Sequence, residues 1–368
     1  MLMPTKYSTM FAFNNLKSIH LEITNNCQAS CPMCNRNVNG GLENPLIKVT
    51  NWSLDDFKNI ITPEVLEQIS NFYFCGNFGD PILNNSLIEM CRYSKDTAPN
   101  VGIVIHTNGG ARKTEWWTEL AHSLPLDHSV VFALDGLEDT HALYRVGTNF
   151  ETIIENARAF IAAGGTAEWA FIKFKHNEHQ VEKARQLAKD IGFQSFIVKN
   201  SSRFILEPKV DVKDKLGNIT HIIEPSSETP LKFIDKKVID SYKAIVDSSD
   251  IDCKVLKTKE VYIDAHKNLF ACCWLASVPY THLDKNDAFA IRTEMLRQHH
   301  KMIDRLGVVN TLARSIKEII NSDQYQKIWN DCWSTDKLIT CVRTCGVSNN
   351  ITFSQPTDQF EKTEKLYE

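Results

Sequence analysis

The chain has 368 residues, enough for one large core or for a barrel with a smaller second domain. Its 41 basic and 45 acidic residues give a net charge of -4, so neither nucleic acid nor an anionic membrane is expected as a partner. No secretory signal and no bilayer-spanning apolar run is found, so we expect a cytoplasmic protein without a membrane partner. Eleven cysteines in such a chain indicate metal or cluster ligation rather than disulfides.

The first half of the chain alternates strand and helix patterns. Residues 16–24 alternate apolar and polar side chains and predict a first strand. Ser53 and Asp56 predict the start of a helical segment that breaks near Pro63. Further strands are predicted in NFYF, VGIVIH, SVVFALDG, TAEWAFIKF and FQSFIVKNS. Six strands alternating with five helices predict a parallel α/β fold with right-handed crossovers.

The strict alternation stops after Phe204. A hairpin is predicted that turns at Gly217 and Asn218, and a second, short hairpin is predicted just before Cys272. Later, SIKEIINSDQYQKIW predicts one amphipathic helix whose capping box is Ser315 with Glu318. The last stretch, SQPTDQFEKTEKLYE, is polar and charged and predicts a loose tail.

Three cysteines follow the first predicted strand in the order C-x3-C-x2-C: Cys27, Cys31 and Cys34. They can bind three irons of a 4Fe-4S cluster, and no Cys or His occurs in the next forty residues to bind the fourth. A structural zinc site and a ferredoxin-type cluster would each take four protein ligands. The pattern predicts a cluster with one open iron, with a structural zinc site as the alternative.

The stretch CQASCPMC resembles the signature of the radical S-adenosylmethionine (radical SAM) superfamily. Met33 stands where that family more often has an aromatic residue, and the resemblance implies that it packs on the adenine of the cofactor. The family's fold is an open, partial (β/α)6 TIM-like barrel, which agrees with the count of strands. The resemblance also implies that S-adenosylmethionine binds at the open iron.

Residues at the strand ends are the expected cofactor contacts. GNFGDP is similar to the family's Gly-Gly-Glu-Pro turn, which implies that Gly79 and Asp80 hold the methionine amino group. Asn108 and Asp135 follow the third and fourth strands, where the family contacts the cofactor ribose and lines the reaction chamber. Asp135 is also a candidate catalytic residue. Ordinary turn chemistry is the alternative role for these positions.

Three further polar residues are candidates for the same site. Asn177 and Arg203 end the fifth and sixth strands, and Arg203 is placed to pair with the methionine carboxylate through two hydrogen bonds. Arg145 belongs to an H-x3-R stretch that resembles one in relatives with auxiliary clusters. It is the second candidate catalytic residue, because it can hold a substrate carboxylate, and a solvated loop arginine is the alternative.

The late cysteines are similar in order to the auxiliary-cluster domains called SPASM and Twitch. The resemblance implies that Cys253, Cys272, Cys341 and Cys345 hold a second, auxiliary 4Fe-4S cluster. Six cysteines are too few for two fully ligated clusters, so we expect a domain closer to Twitch than to full SPASM. Cys332 remains an alternative to Cys341 or Cys345, and Cys273 remains an alternative to Cys272. Zinc remains an alternative metal.

These expectations divide the chain into five parts: an N-terminal segment (1–15), a radical SAM partial barrel (16–205), a connector with a hairpin (206–250), an α+β auxiliary-cluster domain (251–346) and a polar tail (347–368).

The resemblance implies an oxidoreductase or peptide-modifying enzyme that reductively cleaves S-adenosylmethionine to a deoxyadenosyl radical and abstracts hydrogen from a substrate. A flavodoxin or ferredoxin is the expected electron donor. The expected substrate is a peptide or protein side chain that is oxidised, crosslinked or epimerised. The alternatives are a small-molecule dehydrogenase acting on a sugar or aminocyclitol, and a non-catalytic iron-sulfur or zinc protein.

Overall fold

The computed structural model describes residues 10–201, 204, 209–228, 242–280, 289–347 and 360–367. The chain divides into two compact units. We call Leu21–Phe233 with Asp358–Glu368 the barrel unit, and Met1–His20 with Ile234–Thr357 the cysteine-rich unit. No helix in the described ranges is both long and apolar enough to cross a membrane.

A parallel sheet forms the centre of the barrel unit. Its strands β2 to β6 pair in parallel and in chain order. The last residue of β1 lies beside β2, because the N–H of Cys75 donates to the carbonyl of Leu21. The strands are β1 (Ser18–Leu21), β2 (Asn71–Phe74), β3 (Gly102–Thr107), β4 (His128–Ala133), β5 (Ala167–Lys173) and β6 (Ser195–Asn200).

Helices separate these strands along the chain, and the predicted alternation is confirmed. The capping box of Ser53 with Asp56 is present, and Thr62 and Pro63 begin a new helix at the predicted break. The helices are α1 (Leu54–Ile60), α2 (Pro63–Gln68), α3 (Leu87–Thr97), α4 (Thr114–Ser123), α5 (His141–Tyr144), α6 (Phe150–Ala162) and α7 (Val181–Ile191).

The parallel sheet is curved. Lys199 at the end of β6 interacts electrostatically with Cys75, which follows β2, and with His106 on β3. In a flat sheet, β2 and β6 would lie about 19 Å apart, because neighbouring strands are about 4.8 Å apart. The sheet therefore bends so that β2 and β6 face a common interior. The predicted α/β partial barrel is confirmed.

The predicted hairpin follows the barrel strands. β7 (Val210–Lys213) and β8 (Ile219–Ile223) pair antiparallel. Asp214 holds the turn, because its carboxylate accepts hydrogen bonds from the N–H groups of Leu216 and Asn218. The hairpin contributes Val212 and Ile223 to a buried cluster with Tyr144, Phe174 and Phe204.

The cysteine-rich unit contains shorter elements, including the predicted hairpin. β10 and β11 pair antiparallel, as do β9 and β12. The strands are β9 (Asp250–Ile251), β10 (Glu260–Ile263), β11 (Leu269–Phe270) and β12 (Gly346–Val347). The helices are α8 (Tyr242–Ser248), α9 (Lys254–Thr258), α10 (Cys273–Ser277), α11 (Phe289–Leu306), α12 (Ile316–Ile320), α13 (Asp323–Ser334) and α14 (Ile339–Cys345).

One helix expectation is corrected. The capping box of Ser315 with Glu318 is present, but the single helix predicted after it is two helices, α12 and α13. Ser322 has an extended backbone, with φ of -72° and ψ of 142°, and its side chain accepts a hydrogen bond from the N–H of Tyr325. This serine begins a new helix, which changes the direction in which the later aromatic residues point.

The expectation of a loose C-terminal tail is also corrected. Residues Phe360–Lys365 form β13, which pairs antiparallel with β6. Without β13, the outer side of β6 would present unpaired N–H and C=O groups. Pairing of these groups favours a strand in spite of the many charged side chains in FEKTEK.

Candidate functional site

The loop that carries the first three cysteines follows β1 and is held by polar contacts. The N–H of Ser30 donates to the carbonyl of Val146 at 2.7 Å. The buried Arg36 donates from Nη1 to the carbonyl of Asn25 at 2.6 Å. The Asn25 side chain in turn pairs with the backbone of Lys48 and Thr50. These contacts fix the loop at the end of β1.

The three thiols lie close enough for their charges to interact. Burial raises the pKa of Cys27 and of Cys31, and the neighbouring thiols raise both further. Arg145 opposes this for Cys31, because its guanidinium Nη1 lies 3.9 Å from the sulfur and lowers the pKa. Three neighbouring thiolates, one buried and two partly buried, are costly without a cation. The donor set therefore fits an iron-sulfur cluster.

Hydrogen-bond donors also point at these sulfur atoms. Asn108 Nδ2 donates to Cys27 Sγ at 3.6 Å, and the N–H of Ala29 donates to the same sulfur. In the described part of the chain, no three His, Cys, Asp or Glu side chains are placed to bind a single metal ion. In a 4Fe-4S cluster each cysteine binds a different iron, so its ligands do not converge on one point.

The GNFGDP turn is packed against the end of β1. Glu22 is buried, and its Oε1 accepts hydrogen bonds from the N–H groups of Phe78 at 2.7 Å and Gly79 at 3.1 Å. A Cβ on Gly79 would lie 1.9 Å from the carbonyl oxygen of Thr24. Only glycine fits there, so this turn and the start of the cysteine loop are held in close contact.

Asp80 joins two loops within the protein. Its Oδ1 accepts from the hydroxyl of Thr107 at 2.8 Å, and its Oδ2 accepts from the N–H of Asn108 at 2.7 Å. Burial raises the pKa of Asp80, and these hydrogen bonds lower it. Both carboxylate oxygens therefore already have protein partners, and Asp80 positions Asn108 beside Cys27.

Asp135 and Arg145 form a buried ion pair. Arg145 Nε lies 2.6 Å from Asp135 Oδ2, and Asp135 Oδ1 accepts from the N–H of Ile172 at 2.6 Å. Asp135 is fully buried, whereas the Arg145 side chain is 17% exposed. The pair places the guanidinium between the end of β4 and Cys31, where it interacts with the cysteine loop.

The other predicted cofactor contacts are placed differently. Asn177 is buried, and its amide donates to the carbonyls of Asp135 and Ile172 and accepts from the N–H of Phe174. Met33 packs against the buried cluster that includes Tyr144 and Phe174. Arg203 lies outside the described residues.

Two residues of the barrel unit were missed by sequence reasoning. Glu22 has no motif of its own, and its only signal is an acidic residue inside an otherwise buried strand end. Lys199 lies in β6, where burial lowers its pKa and the charges of Cys75 and Asp135 raise it. The same lysine, together with burial, lowers the pKa of His106 to about 4. Lys199 and His106 therefore both belong to the interior of the curved sheet.

The late cysteines form a second group within the cysteine-rich unit. Every pair among Cys253, Cys272, Cys341 and Cys345 interacts electrostatically. Cys253 and Cys345 share a hydrogen bond, which raises the pKa of Cys253 and lowers that of Cys345. Burial raises the pKa of Cys272 to about 12 and that of Cys341 well above its ordinary value.

Backbone N–H groups also point at this second group of sulfurs. Those of Leu275 and Trp274 donate to Cys272, and that of Lys254 donates to Cys345. Such N–H to sulfur contacts are typical of thiolates that bind iron or zinc. Cys332 also interacts with Cys341, and its own pKa is shifted by burial and by Arg305, Asp336, Asp331 and Lys301.

Comparisons with known proteins show the fold. No protein-family model matches the chain, and no curated protein matches it significantly. Streptococcus suis SuiB bound to precursor peptide SuiA has 11% sequence identity and a TM-score of 0.51, over 85% of this chain and 66% of SuiB. The chain thus spans about two thirds of the length of SuiB.

Two other solved structures have lower TM-scores. Native anSMEcpe with bound AdoMet and Cp18Cys peptide has 13% identity and a TM-score of 0.49, over 89% of this chain and 88% of that chain. BtrN in complex with AdoMet and 2-DOIA has 11% identity and a TM-score of 0.46, over 94% and 98%. The likeness to SuiB shows that this chain shares the fold of SuiB.

Proposed function

We propose that the chain is a radical SAM enzyme whose first cluster is bound by Cys27, Cys31 and Cys34. The observation that carries this proposal is the group of three interacting thiols on the loop after β1 of a curved parallel sheet. Loops that follow the strands of such sheets form the active sites of barrel enzymes. A bound 4Fe-4S cluster would supply the electron that cleaves S-adenosylmethionine to a deoxyadenosyl radical.

The chain's own residues would position the two cofactors. Asn108 and the N–H of Ala29 would donate hydrogen bonds to the Cys27 sulfur, as they do in the structure. Arg145 would offset the negative charge beside Cys31, and Asp135 would hold that guanidinium in place. Gly79 and its neighbours in GNFGDP would offer backbone groups to the methionine end of the cofactor.

We further propose that Cys253, Cys272, Cys341 and Cys345 bind an auxiliary 4Fe-4S cluster. The mutual interaction of these four thiols supports this set. Four cysteines complete the ligation of a 4Fe-4S cluster, so this cluster would have no open iron. Its role would be electron transfer, with a flavodoxin or ferredoxin as the external donor to the enzyme.

For the substrate we propose a peptide or protein side chain. SuiB is described with a bound precursor peptide, and the two proteins share a fold. Lys199 and Arg145 would give the interior of the sheet two cations that can bind carboxylates of a substrate. A sugar or aminocyclitol is the alternative substrate, and deuterium transfer from labelled candidates into deoxyadenosine distinguishes the two classes.

The first experiment tests turnover of the cofactor. The chain is purified and reconstituted without oxygen, then incubated with dithionite and S-adenosylmethionine, and deoxyadenosine is measured. We expect formation that is abolished in Cys31→Ala and retained in Cys91→Ala, which removes an equally buried thiol on α3. A loaded wild-type protein that forms no deoxyadenosine would instead support a non-catalytic iron-sulfur or zinc protein.

A further inference from the structure

One face of α13 carries three buried aromatic residues whose polar atoms have no hydrogen-bond partner. They are Tyr325, Trp329 and Trp333, which follow one another at intervals of four residues and so lie on one side of the helix. Their exposed fractions are 1%, 0% and 1%. Three of the eight unpartnered buried side-chain N and O atoms in the described ranges belong to this face.

Such unpartnered donors need an explanation. A buried N–H or O–H without a partner destabilises the folded chain, because the group has lost its hydrogen bonds to water and gained none in the protein. Other buried tryptophans of the chain avoid this cost: Trp117 donates to the carbonyl of Ala111 at 3.1 Å, and Trp169 donates to that of Leu134 at 2.9 Å. The α13 face therefore differs from the usual way in which this chain buries an indole.

The α13 face points at the second group of cysteines. Burial raises the pKa of Tyr325, the charges of Cys272 and Cys253 raise it further, and the neighbouring Trp329 lowers it. The Tyr325 hydroxyl therefore lies near both sulfurs. Trp333 lies near Cys341 and lowers the pKa of that thiol, although no hydrogen bond of ordinary geometry forms. The Trp329 ring lies between them, 5.5 Å from the Tyr325 ring and 6.1 Å from the Trp333 ring.

We propose that Tyr325, Trp329 and Trp333 donate hydrogen bonds to sulfur atoms of the cluster bound by Cys253, Cys272, Cys341 and Cys345. This inference rests on the proposed auxiliary cluster. Its inorganic sulfides would add acceptors beside the thiolates, which already receive N–H groups from Lys254, Trp274 and Leu275. The three aromatic residues are positioning residues for the cluster, and they need not touch substrate.

The expected consequence is a higher reduction potential for this cluster. Hydrogen bonds to sulfur stabilise the reduced state more than the oxidised state, because the reduced cluster carries one more negative charge. Removing a donor should therefore make the cluster harder to reduce. A tenfold change in the reduction equilibrium corresponds to about 59 mV for a one-electron couple.

The experiment uses the full chain with Cys27, Cys31 and Cys34 replaced by alanine, so that only the second cluster can form. Iron and sulfide are counted, and the midpoint potential is measured by redox titration followed by electron paramagnetic resonance. Tyr325→Phe, Trp329→Phe and Trp333→Phe are compared with this parent. Trp169→Phe is the matched control, because it removes an equally buried indole from the barrel unit.

We expect Tyr325→Phe and Trp333→Phe each to lower the potential by about the equivalent of a tenfold change, and Trp169→Phe to leave it unchanged. Unchanged potentials in cluster-loaded α13 variants would overturn the inference and leave the proposed function intact. If the parent bound fewer than about four irons per chain, the proposal of an auxiliary cluster would itself be wrong.

A second measurement detects the hydrogen bonds directly in the parent. The parent is labelled with ¹⁵N at the indole nitrogen, and the reduced cluster is studied by pulsed electron paramagnetic resonance. We expect a ¹⁵N coupling that disappears in the double variant Trp329→Phe with Trp333→Phe. A loaded, reduced cluster without any indole ¹⁵N coupling would contradict donation by the two tryptophans.

Discussion

The two cysteine groups differ in how the chain assembles them. Cys27, Cys31 and Cys34 come from one loop after β1, and polar side chains such as Asn108 and Arg145 surround their sulfurs. The second group takes its thiols from residues that precede two short helices, Cys253 and Cys272, and from one face of α14. Buried aromatic residues lie beside this second group.

This difference in assembly indicates a different role for each group of cysteines. Under the proposed function, the three thiols with charged and amide neighbours would leave one iron open to a polar cofactor. The four thiols of the second group would complete the ligation of the proposed auxiliary cluster and tie their three elements together, so cluster binding would also stabilise the fold of the cysteine-rich unit. We therefore propose a catalytic role for the first group, and a role in electron transfer and structure for the second.

The largest expected effect comes from removing one thiol of the second group. Cys272→Ala should lower the iron content of the reconstituted chain from about eight to about four per chain, because a closed cluster needs all four cysteines. Cys332→Ala is the matched control, since Cys332 is a buried thiol that interacts with Cys341 and is not one of the four proposed ligands. Equal iron loss in both variants would show that Cys332 is itself a ligand.

The next effect concerns the buried ion pair beside Cys31. Arg145→Met leaves Asp135 fully buried without its partner, so we expect a loss of about 3–5 kcal/mol in the free energy of unfolding. Arg92→Met breaks an exposed pair with Glu119 at 2.7 Å and should cost less than about 1 kcal/mol. Denaturant unfolding of both variants measures the difference.

The same variant also tests which cysteine group Arg145 serves. Its guanidinium lowers the pKa of Cys31, so Arg145→Met should weaken iron binding at the first group alone. Iron bound by a chain that also carries Cys27→Ala, Cys31→Ala and Cys34→Ala should not change when Arg145 is replaced. A loss of iron from the second group would contradict this assignment.

Much of the fold could be predicted from the sequence, because strand and helix periodicity is local. The alternation of strands and helices, the break at Pro63 and both hairpins needed only such patterns. β13 could not be predicted, because its pairing depends on the exposed side of β6 and its own residues are mostly charged. Ser322 divided a helix that apolar spacing alone would continue.

The candidate site was predicted less completely. Cysteine spacing predicted the first group of thiols, and the resemblance in cysteine order to the SPASM and Twitch domains predicted the second. Asp80, Asp135 and Asn177 were predicted as cofactor contacts, and the structure shows their polar atoms bound to neighbouring loops and strands. The residue types at strand ends can be read from the sequence, but their hydrogen-bond partners depend on loops that meet only in the folded chain. Glu22 and Lys199 were missed for the same reason.

A smaller effect comes from His141, which lies between the Asp135 backbone and Thr148. Burial, and then the charge of Arg145, lowers its pKa from 6.5 to about 3. Between these values the unfolded chain binds a proton that the folded chain does not, so stability falls as the pH falls through this window. We expect a loss of about 1.4 kcal/mol per pH unit from this histidine.

Denaturant unfolding at pH 7 and pH 5.5 measures this loss. His141→Asn should be less sensitive to the pH change than the wild type by roughly that amount. His122→Asn, at an exposed position on α4, should keep the sensitivity of the wild type. An unchanged slope in His141→Asn would mean that the imidazole is not held neutral.

The smallest effect tests the start of α13, the helix that presents the aromatic residues to the second group. The Ser322 side chain accepts from the N–H of Tyr325, so Ser322→Ala should cost about 1 kcal/mol of unfolding free energy. Ser322→Gly should cost only a few tenths of a kcal/mol of unfolding free energy, because glycine also tolerates the extended backbone before a helix. If Ser322→Ala and Ser322→Gly lowered the unfolding free energy equally, the serine would not determine where the helix starts. The direction of the aromatic face would then depend on core packing alone.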